Sequence, residues 1–259
     1  MIKTSKKITN LLESVEKLPK SRKFHISTNI DNLKSFKKTP RESWPQEWKK
    51  IYYKAYPRFD QTILPNPTRT KIDLEKTILE RVSYRNFSKR KISLNDFSDL
   101  IYYSVGMKNL INSKGKRNYP SAGARYPLEV YPFIFNVENI RKGIYHYHVK
   151  THSLETILNN ISKKHILDQF DQSWIKKSAL LLVISALFDR TEVKYKNRGY
   201  RHVLTEYGHI AQNFYLVGTG LGLGVCSIGG FRDNGLNEFL DIDGVDESVV
   251  GVVAIGNKI

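Results

Sequence analysis

One cysteine, Cys226, in a chain of 259 residues leaves no partner for an internal disulfide and no set of thiolates for a cysteine-based zinc site within one chain. Long apolar runs are also missing. No stretch approaches the roughly 18 apolar residues of a membrane-crossing helix, and Met1-Ile2-Lys3-Thr4-Ser5-Lys6-Lys7 lacks the apolar core of a secretory signal. A cytoplasmic protein without a membrane partner is therefore expected. There is no internal repeat and no low-complexity tract. What remains is 40% hydrophobic and 12% aromatic, enough to bury a core.

Acidic residues are scarce as well: 25 Asp and Glu face 42 Lys and Arg, a formal charge of +17. Residues 1–60 concentrate the imbalance, with 15 basic and 6 acidic side chains interleaved with Trp44, Trp48, Tyr52, Tyr53 and Tyr56. Basic and aromatic interleaving can stack single-stranded nucleic acid. A Lys-, Asn- and Ile-rich composition accounts for it equally, with the aromatics anchoring an N-terminal arm on the body, and nucleic acid is not the expected partner.

Punctuation along the chain suggests that arm over residues 1–70 and a single body over 71–259. A short helix is expected at 8–17, closed by Pro19. Pro40, Pro45, Pro57, Pro65 and Pro67 then break the chain into irregular pieces. Asp73–Glu80 reads as a helix. Ser93 caps another, with Phe97, Leu100, Ile101 and Ser104 on one face and Gly106 at its end. Leu128–Phe135 and Gly143–Tyr147 suit a hairpin, and Ser153–Asn160 and Lys164–Phe170 read as helices. Ala179–Ala186 is an apolar run of strand length, buried on both faces. Val203, Leu204, Tyr207, Ile210, Ala211, Phe214 and Val217 recur at helical spacing in a long helix ending near Gly218 or Gly220. Strands at Gly224–Phe231 and Val249–Ile255 flank a short helix at Asn234–Leu240. Without a regular βαβ repeat, the class is α+β around a central mixed or antiparallel sheet.

Chemistry concentrates in five places. Arg81-Val82-Ser83-Tyr84-Arg85 offers two guanidinium forks and a hydroxyl which, in an extended segment, point to one side and suit phosphate oxygens. Pro120-Ser121-Ala122-Gly123-Ala124-Arg125-Tyr126-Pro127 is a small-residue turn that lets backbone approach a flat ligand. Lys194-Tyr195 is a basic and phenolic pair. Gly220–Phe231 is glycine-rich, but without a strand before and a helix after it does not fit a dinucleotide fold. Lys258 follows the last strand, where it can join Arg81 and Arg85. His146 and His148 alternate with tyrosines, and without a third ligand they read as strand-surface packing, not a metal site. His209 and Asn213 read as core or interface hydrogen bonding, and Cys226 as a small buried residue.

The order RVSYR, PSAGARYPLEVY, GIYHYH, the apolar strand, KYKNRGYR, EYGHIAQNFYLVGTGLGLGVCSIGGF and VVAIGNK resembles the nitroreductase superfamily from about residue 75 to the end. Within it, PSAGARYP, YHYH and the Lys-Tyr pair are similar to the SagB-type, or McbC-like, azoline dehydrogenases. Phe24-His25 and Lys54-Ala55-Tyr56-Pro57 extend that likeness into the arm. The resemblance implies a homodimeric FMN enzyme in which Arg81, Ser83 and Arg85 hold the phosphate and ribityl chain and Lys258 completes the phosphate site. It implies that Ser121 and Gly123 also contact the cofactor and that Ser227, Ile228, Gly229 and Gly230 lie by its ring. Gly123 stands where ordinary nitroreductases often carry Asn or Gln, a departure that favours the azoline branch. Lys194 and Tyr195 take the catalytic positions as a unit: an adjacent ammonium favours phenolate, and a buried lysine of lowered pKa could itself serve as the base. The implied substrate is a heterocyclised precursor peptide, with a cyclodehydratase as partner. An NAD(P)H-dependent reductase of small molecules, and a flavin-free scaffold or basic binding subunit, are the alternatives.

Overall fold

A computed structural model describes residues 18–29, 41–68, 71–108 and 115–259; the helix expected at 8–17 lies outside them. Seven strands form one sheet: β1 Gln61–Ile63, β2 Leu128–Ile134, β3 Gly143–His148, β4 Ser153–Asn159, β5 Leu180–Leu187, β6 Leu223–Ile228 and β7 Glu247–Asn257. Their order is β1-β4-β3-β2-β5-β7-β6, and every neighbouring pair is antiparallel. The α+β class and the antiparallel sheet are as the sequence predicts.

Alternation along β5 explains why its sequence is uniformly apolar. Leu180, Leu182, Ile184 and Ala186 face one buried cluster and Leu181 and Val183 the other, as a period of two requires. Helices cover both faces: α1 Lys20–Ser27, α2 Gln46–Lys49, α3 Leu74–Glu80, α4 Leu94–Val105, α5 Lys163–Leu167, α6 Asp189–Tyr195, α7 Arg198–Gly220 and α8 Asp233–Leu240. Asp73 and Ser93 cap α3 and α4 by accepting from the amides of Lys76 and Asp96. Helix α7 buries Val203, Glu206, Ile210, Phe214 and Gly218 along one stripe. At Gly218 a Cβ would lie 2.4 Å from Val225 Cγ2, so glycine is what lets the helix approach β6.

Residues 153–159 are a strand, not the helix their Leu and Glu content predicts. Leu154, Glu155 and Ser153 are fully buried, and the strand pairs with β3 on one side and β1 on the other. Two residues of positive φ, His152 and Asn160, bracket it. Cross-strand pairing overrides helix propensity here because Glu155 finds its partner, His146, only across the sheet.

The proline-punctuated arm is less irregular than expected, since α1, α2 and β1 all belong to it. It is tied to the body through buried polar contacts. Lys54 Nζ donates to Glu247 Oε2 at 2.5 Å, Tyr56 N donates to Glu155 Oε1 at 3.0 Å, and Tyr56 Oη meets Tyr131 Oη at 3.2 Å. Burial lowers the Lys54 ammonium, but the hydrogen bond and charge of Glu247 outweigh it and the net displacement is upward.

Candidate active site

Helix α3 ends at Glu80, and Arg81 leaves it in extended backbone. The following residues are pinned alongside the sheet: Tyr84 N donates to Val225 O of β6 at 2.9 Å and Ser88 N to Asn257 O of β7 at 2.8 Å. Phe87 bridges Lys258. This brings the first predicted group together. The Arg81 guanidinium stands 5.4 Å from the Tyr215 ring centroid, Ser83 Oγ is 3.1 Å from Tyr215 Oη, and Ser227 N donates to the same hydroxyl at 2.8 Å. Arg85 lies 5.8 Å from the Trp174 ring centroid, and its Nη1 donates to Ser83 O at 3.2 Å. Lys258 Nζ is 5.7 Å from the ring centroid of Tyr84.

Among the described residues, no carboxylate pairs with Arg81, Arg85 or Lys258. Three cations, two on the segment around Ser83 and the third on Lys258, without acidic partners among the described residues, are a donor set that fits a phosphate. A cavity of about 360 Å³ is lined by Tyr200, Tyr207, Ser227, Ile228, Gly229 and Phe231, and is linked to this group through Ser227. A Cβ on Gly229 would meet nothing within 4 Å, so a flat ligand can come close to the backbone there. A Cβ on Gly230 would lie 2.8 Å from Gln172 Nε2. Burial pushes the Cys226 thiol up, against the opposing pull of Arg85. A larger cavity of about 870 Å³ lies elsewhere, at Tyr102, Tyr103, Met107 and His152, and carries none of the predicted site residues.

The second predicted group assembles around a short 3-10 turn, Ala122–Ala124. Gly123 within it has φ 61°, and a Cβ there would lie 2.7 Å from Tyr195 Oη and 3.1 Å from Lys194 Nζ. The Lys-Tyr pair, at the end of α6, therefore reaches directly over the glycine. Ser121 Oγ accepts from Tyr126 N at 2.8 Å, which shapes the turn. Arg125, fully buried, donates from Nε to Arg190 O at 2.7 Å and from Nη1 to Trp48 O at 2.8 Å, binding the turn to α6 and to the arm. Burial raises the Tyr195 phenol and Arg125 only partly offsets this.

The two groups are not in mutual contact. They sit at different levels of α7, which offers Glu206 to the Ser121 turn and Tyr215 to Arg81 and Ser83, nine positions or about 13 Å of helical rise apart. Tyr215, Arg125 and Glu206 escape a reading of motifs. Glu206 had a findable signal, being a carboxylate on the apolar stripe of an amphipathic helix. It is buried behind the turn, and neither oxygen has a hydrogen bond of good geometry. Burial raises it to about 7, against the pull of Ser121, Arg117 and the Ala122 amide.

His146 is not packed at the strand surface as predicted. It is fully buried, with Nδ1 2.7 Å from Glu155 Oε2 and Nε2 3.1 Å from Glu129 Oε2. Burial lowers its pKa, the two carboxylates raise it more, and the net shift is upward. Arg190 Nη1 also meets Glu129, at 2.5 Å. Asn213 Nδ2 donates to Ser104 O at 3.0 Å, the core hydrogen bonding expected of it, whereas His209 is exposed.

Residues 78–257 match the family model described as the nitroreductase family. The MJ1384 protein of Methanocaldococcus jannaschii, which carries a nitroreductase name, is 34% identical over 194 residues, covering 74% of this chain and 95% of that one. The microcin B17-processing protein McbC of Escherichia coli is 34% identical over 183 residues, 64% of this chain and 67% of McbC. Among solved structures, a nitroreductase-named chain of Anabaena variabilis superposes with a TM-score of 0.69 at 23% identity. It covers 78% of this chain, which spans only 42% of the Anabaena one. A chain of the E. coli microcin synthetase McbBCD complex with truncated pro-MccB17 bound superposes with a TM-score of 0.62 at 23% identity, over 96% of this chain and 97% of that one.

Proposed function

The chain belongs to the nitroreductase family, and on that premise we propose that it is an FMN-dependent dehydrogenase. Its reaction converts thiazoline or oxazoline rings of a ribosomally made peptide to thiazoles or oxazoles, with dioxygen as final electron acceptor. The observation that carries this reading is the convergence of Lys194 and Tyr195 on Gly123, supported by the similarity to the microcin B17-processing protein. Arg81, Ser83, Arg85 and Lys258 would hold the phosphate end of FMN, and Ser121, Gly123 and Ser227–Gly230 the ring. Bound there, FMN would supply the acceptor for an electron pair.

Aromatising an azoline removes two hydrogens from adjacent carbons, one of them as a proton. The chain must provide a base for that proton, and Lys194 and Tyr195 are the pair placed to do so. The pair acts as a unit: the Lys194 ammonium favours the phenolate of Tyr195, and that phenolate accepts the proton from carbon. A homodimer suits the arrangement, since the two residue groups lie apart within one chain and Leu74, Ile78, Leu79 and Val82 expose an apolar surface around Arg81. A cyclodehydratase is the expected partner, because the azoline has to be made before it is oxidised.

The purified protein should be yellow and release FMN. Under anaerobic conditions an azoline peptide should bleach it while NADPH bleaches it little. Lys194→Ala and Tyr195→Phe should each lower azole formation by about 100-fold or more with flavin retained. Bleaching by NADPH alone would move the reading to a small-molecule reductase. A colourless protein that FMN cannot reconstitute would exclude both enzymes.

A further inference from the structure

Lys194 is held from a direction that lies outside the 78–257 family match. Its Nζ sits 3.7 Å from the ring centroid of Trp44 and 5.6 Å from that of Trp48. The two indoles meet edge to face, with centroids 6.1 Å apart and planes at 68°, so they form two walls of a corner around the ammonium. The corner is built into the fold. Trp48 belongs to α2, which packs on α6, and its carbonyl accepts from Arg125 Nη1 at 2.8 Å. Arg125 in turn donates to Arg190 O of α6. One residue of the arm therefore touches both the turn that carries Gly123 and, through its ring, the lysine that reaches over it. Lys49 Nζ, donating to Glu42 O at 2.7 Å, closes the arm on itself across Trp44 and Trp48.

We propose that Trp44 and Trp48 are positioning residues of the active site: an aromatic clamp, donated by the arm, that holds the Lys194 side chain over Gly123. A lysine carries four rotatable carbons and explores many rotamers in water. An indole face attracts the ammonium more strongly than the other aromatic side chains do, and two faces at a large angle restrict where it can sit. The chemistry assigned above needs Nζ in one place beside the Tyr195 hydroxyl, since misplacement by about 1 Å is enough to slow a reaction substantially. Without the clamp, the Lys194 ammonium would lose the two indole faces that narrow its range of positions. This inference rests on the role proposed above for Lys194, and it adds that the arm completes the catalytic pair.

The test uses the full chain with its flavin, in two measurements. Trp44, Trp48 and Trp174 are the only tryptophans, so protein labelled with 5-fluorotryptophan shows three fluorine resonances, assignable with single Trp→Phe variants. Lys194→Met should shift the Trp44 and Trp48 resonances and leave that of Trp174 in place. In azoline oxidation, Trp44→Leu should lower kcat about tenfold while KM stays within about twofold and flavin content is unchanged, and Trp44→Phe should recover most of the loss. Trp48→Leu should act in the same direction. Unmoved Trp44 and Trp48 resonances in Lys194→Met, or a Trp44→Leu enzyme with undiminished kcat, would overturn the clamp, and so would a Phe variant as slow as the Leu one. If wild-type protein oxidises no azoline, the function proposed above falls, and the fluorine spectra still decide whether the clamp exists.

Discussion

Glu206 shows how one buried side chain can dominate a pH response. In the unfolded chain its carboxyl titrates near the ordinary 4.5, and burial behind the Ser121 turn raises it to about 7 in the folded protein. The folded state thus binds a proton that the unfolded state has released, and stability falls as pH rises between these values. Replacement by Gln removes the titration. Glu206→Gln should gain on the wild type by on the order of 3 kcal/mol between about pH 5 and about pH 8, read from denaturant midpoints at the two pH values. Glu129 acts with the opposite sign: burial raises its carboxyl, but His146, Arg190 and Arg117 bring it down to about 2, so its contribution is full above the ordinary range and is lost only in strong acid. Arg81, Ser83 and Lys258 could be picked out from residue type and spacing alone. Glu206 could not be paired with its turn, because its neighbours are about eighty residues away in sequence.

The helices were legible because local rules suffice for them. Ser93 caps α4 and Gly106 follows its last turn, and the apolar stripe of α7 repeats at the helical period over six turns. Strand β5 was legible for the complementary reason, a short apolar run too uniform for a half-exposed element. Strand β4 was not. Its Leu and Glu favour helix in isolation, and what makes it a strand is the partner on each side. Glu155 expresses this dependence: its carboxylate takes the His146 imidazole at 2.7 Å and the Tyr56 amide at 3.0 Å, joining β4 to β3 and to the arm. Truncation would leave a buried cationic imidazole short of one counter-charge. Glu155→Ala should therefore cost about 3–5 kcal/mol, measured by chemical denaturation at neutral pH, while a surface change such as Glu75→Ala should cost well under 1 kcal/mol.

At the scale of the whole molecule, the apolar residues left exposed on α3 stand out. Leu74 is 62% exposed, Ile78 55% and Leu79 77% on the helix, and Val82 is 52% exposed just past Arg81. An isolated exposed leucine is ordinary, whereas a contiguous group beside a candidate ligand site marks an interface. If that interface joins two copies, as proposed, sedimentation should give twice the 30.0 kDa chain mass. The double variant Ile78→Glu, Leu79→Glu should sediment as a monomer and lose flavin with the partner chain. A double variant that stays dimeric would place the contact elsewhere.

The sequence alone determined the elements whose stability is local, the capped helices and the buried strand, and supplied the candidate residues, the phosphate-suited cations and the Lys-Tyr pair. The elements follow from periodicity and capping, which act over a few positions, and the Lys-Tyr pair from the family resemblance. Only the tertiary structure decided where the active groups meet. It placed Lys194 and Tyr195 over Gly123, set Tyr215 between Arg81 and Ser227, buried His146 between two carboxylates, and carried Trp44 and Trp48 from the arm onto Lys194. These contacts join residues from 9 to 150 positions apart, across separate elements. Their free energy depends on packing and on shared burial, and neither is visible to a rule that reads neighbouring residues.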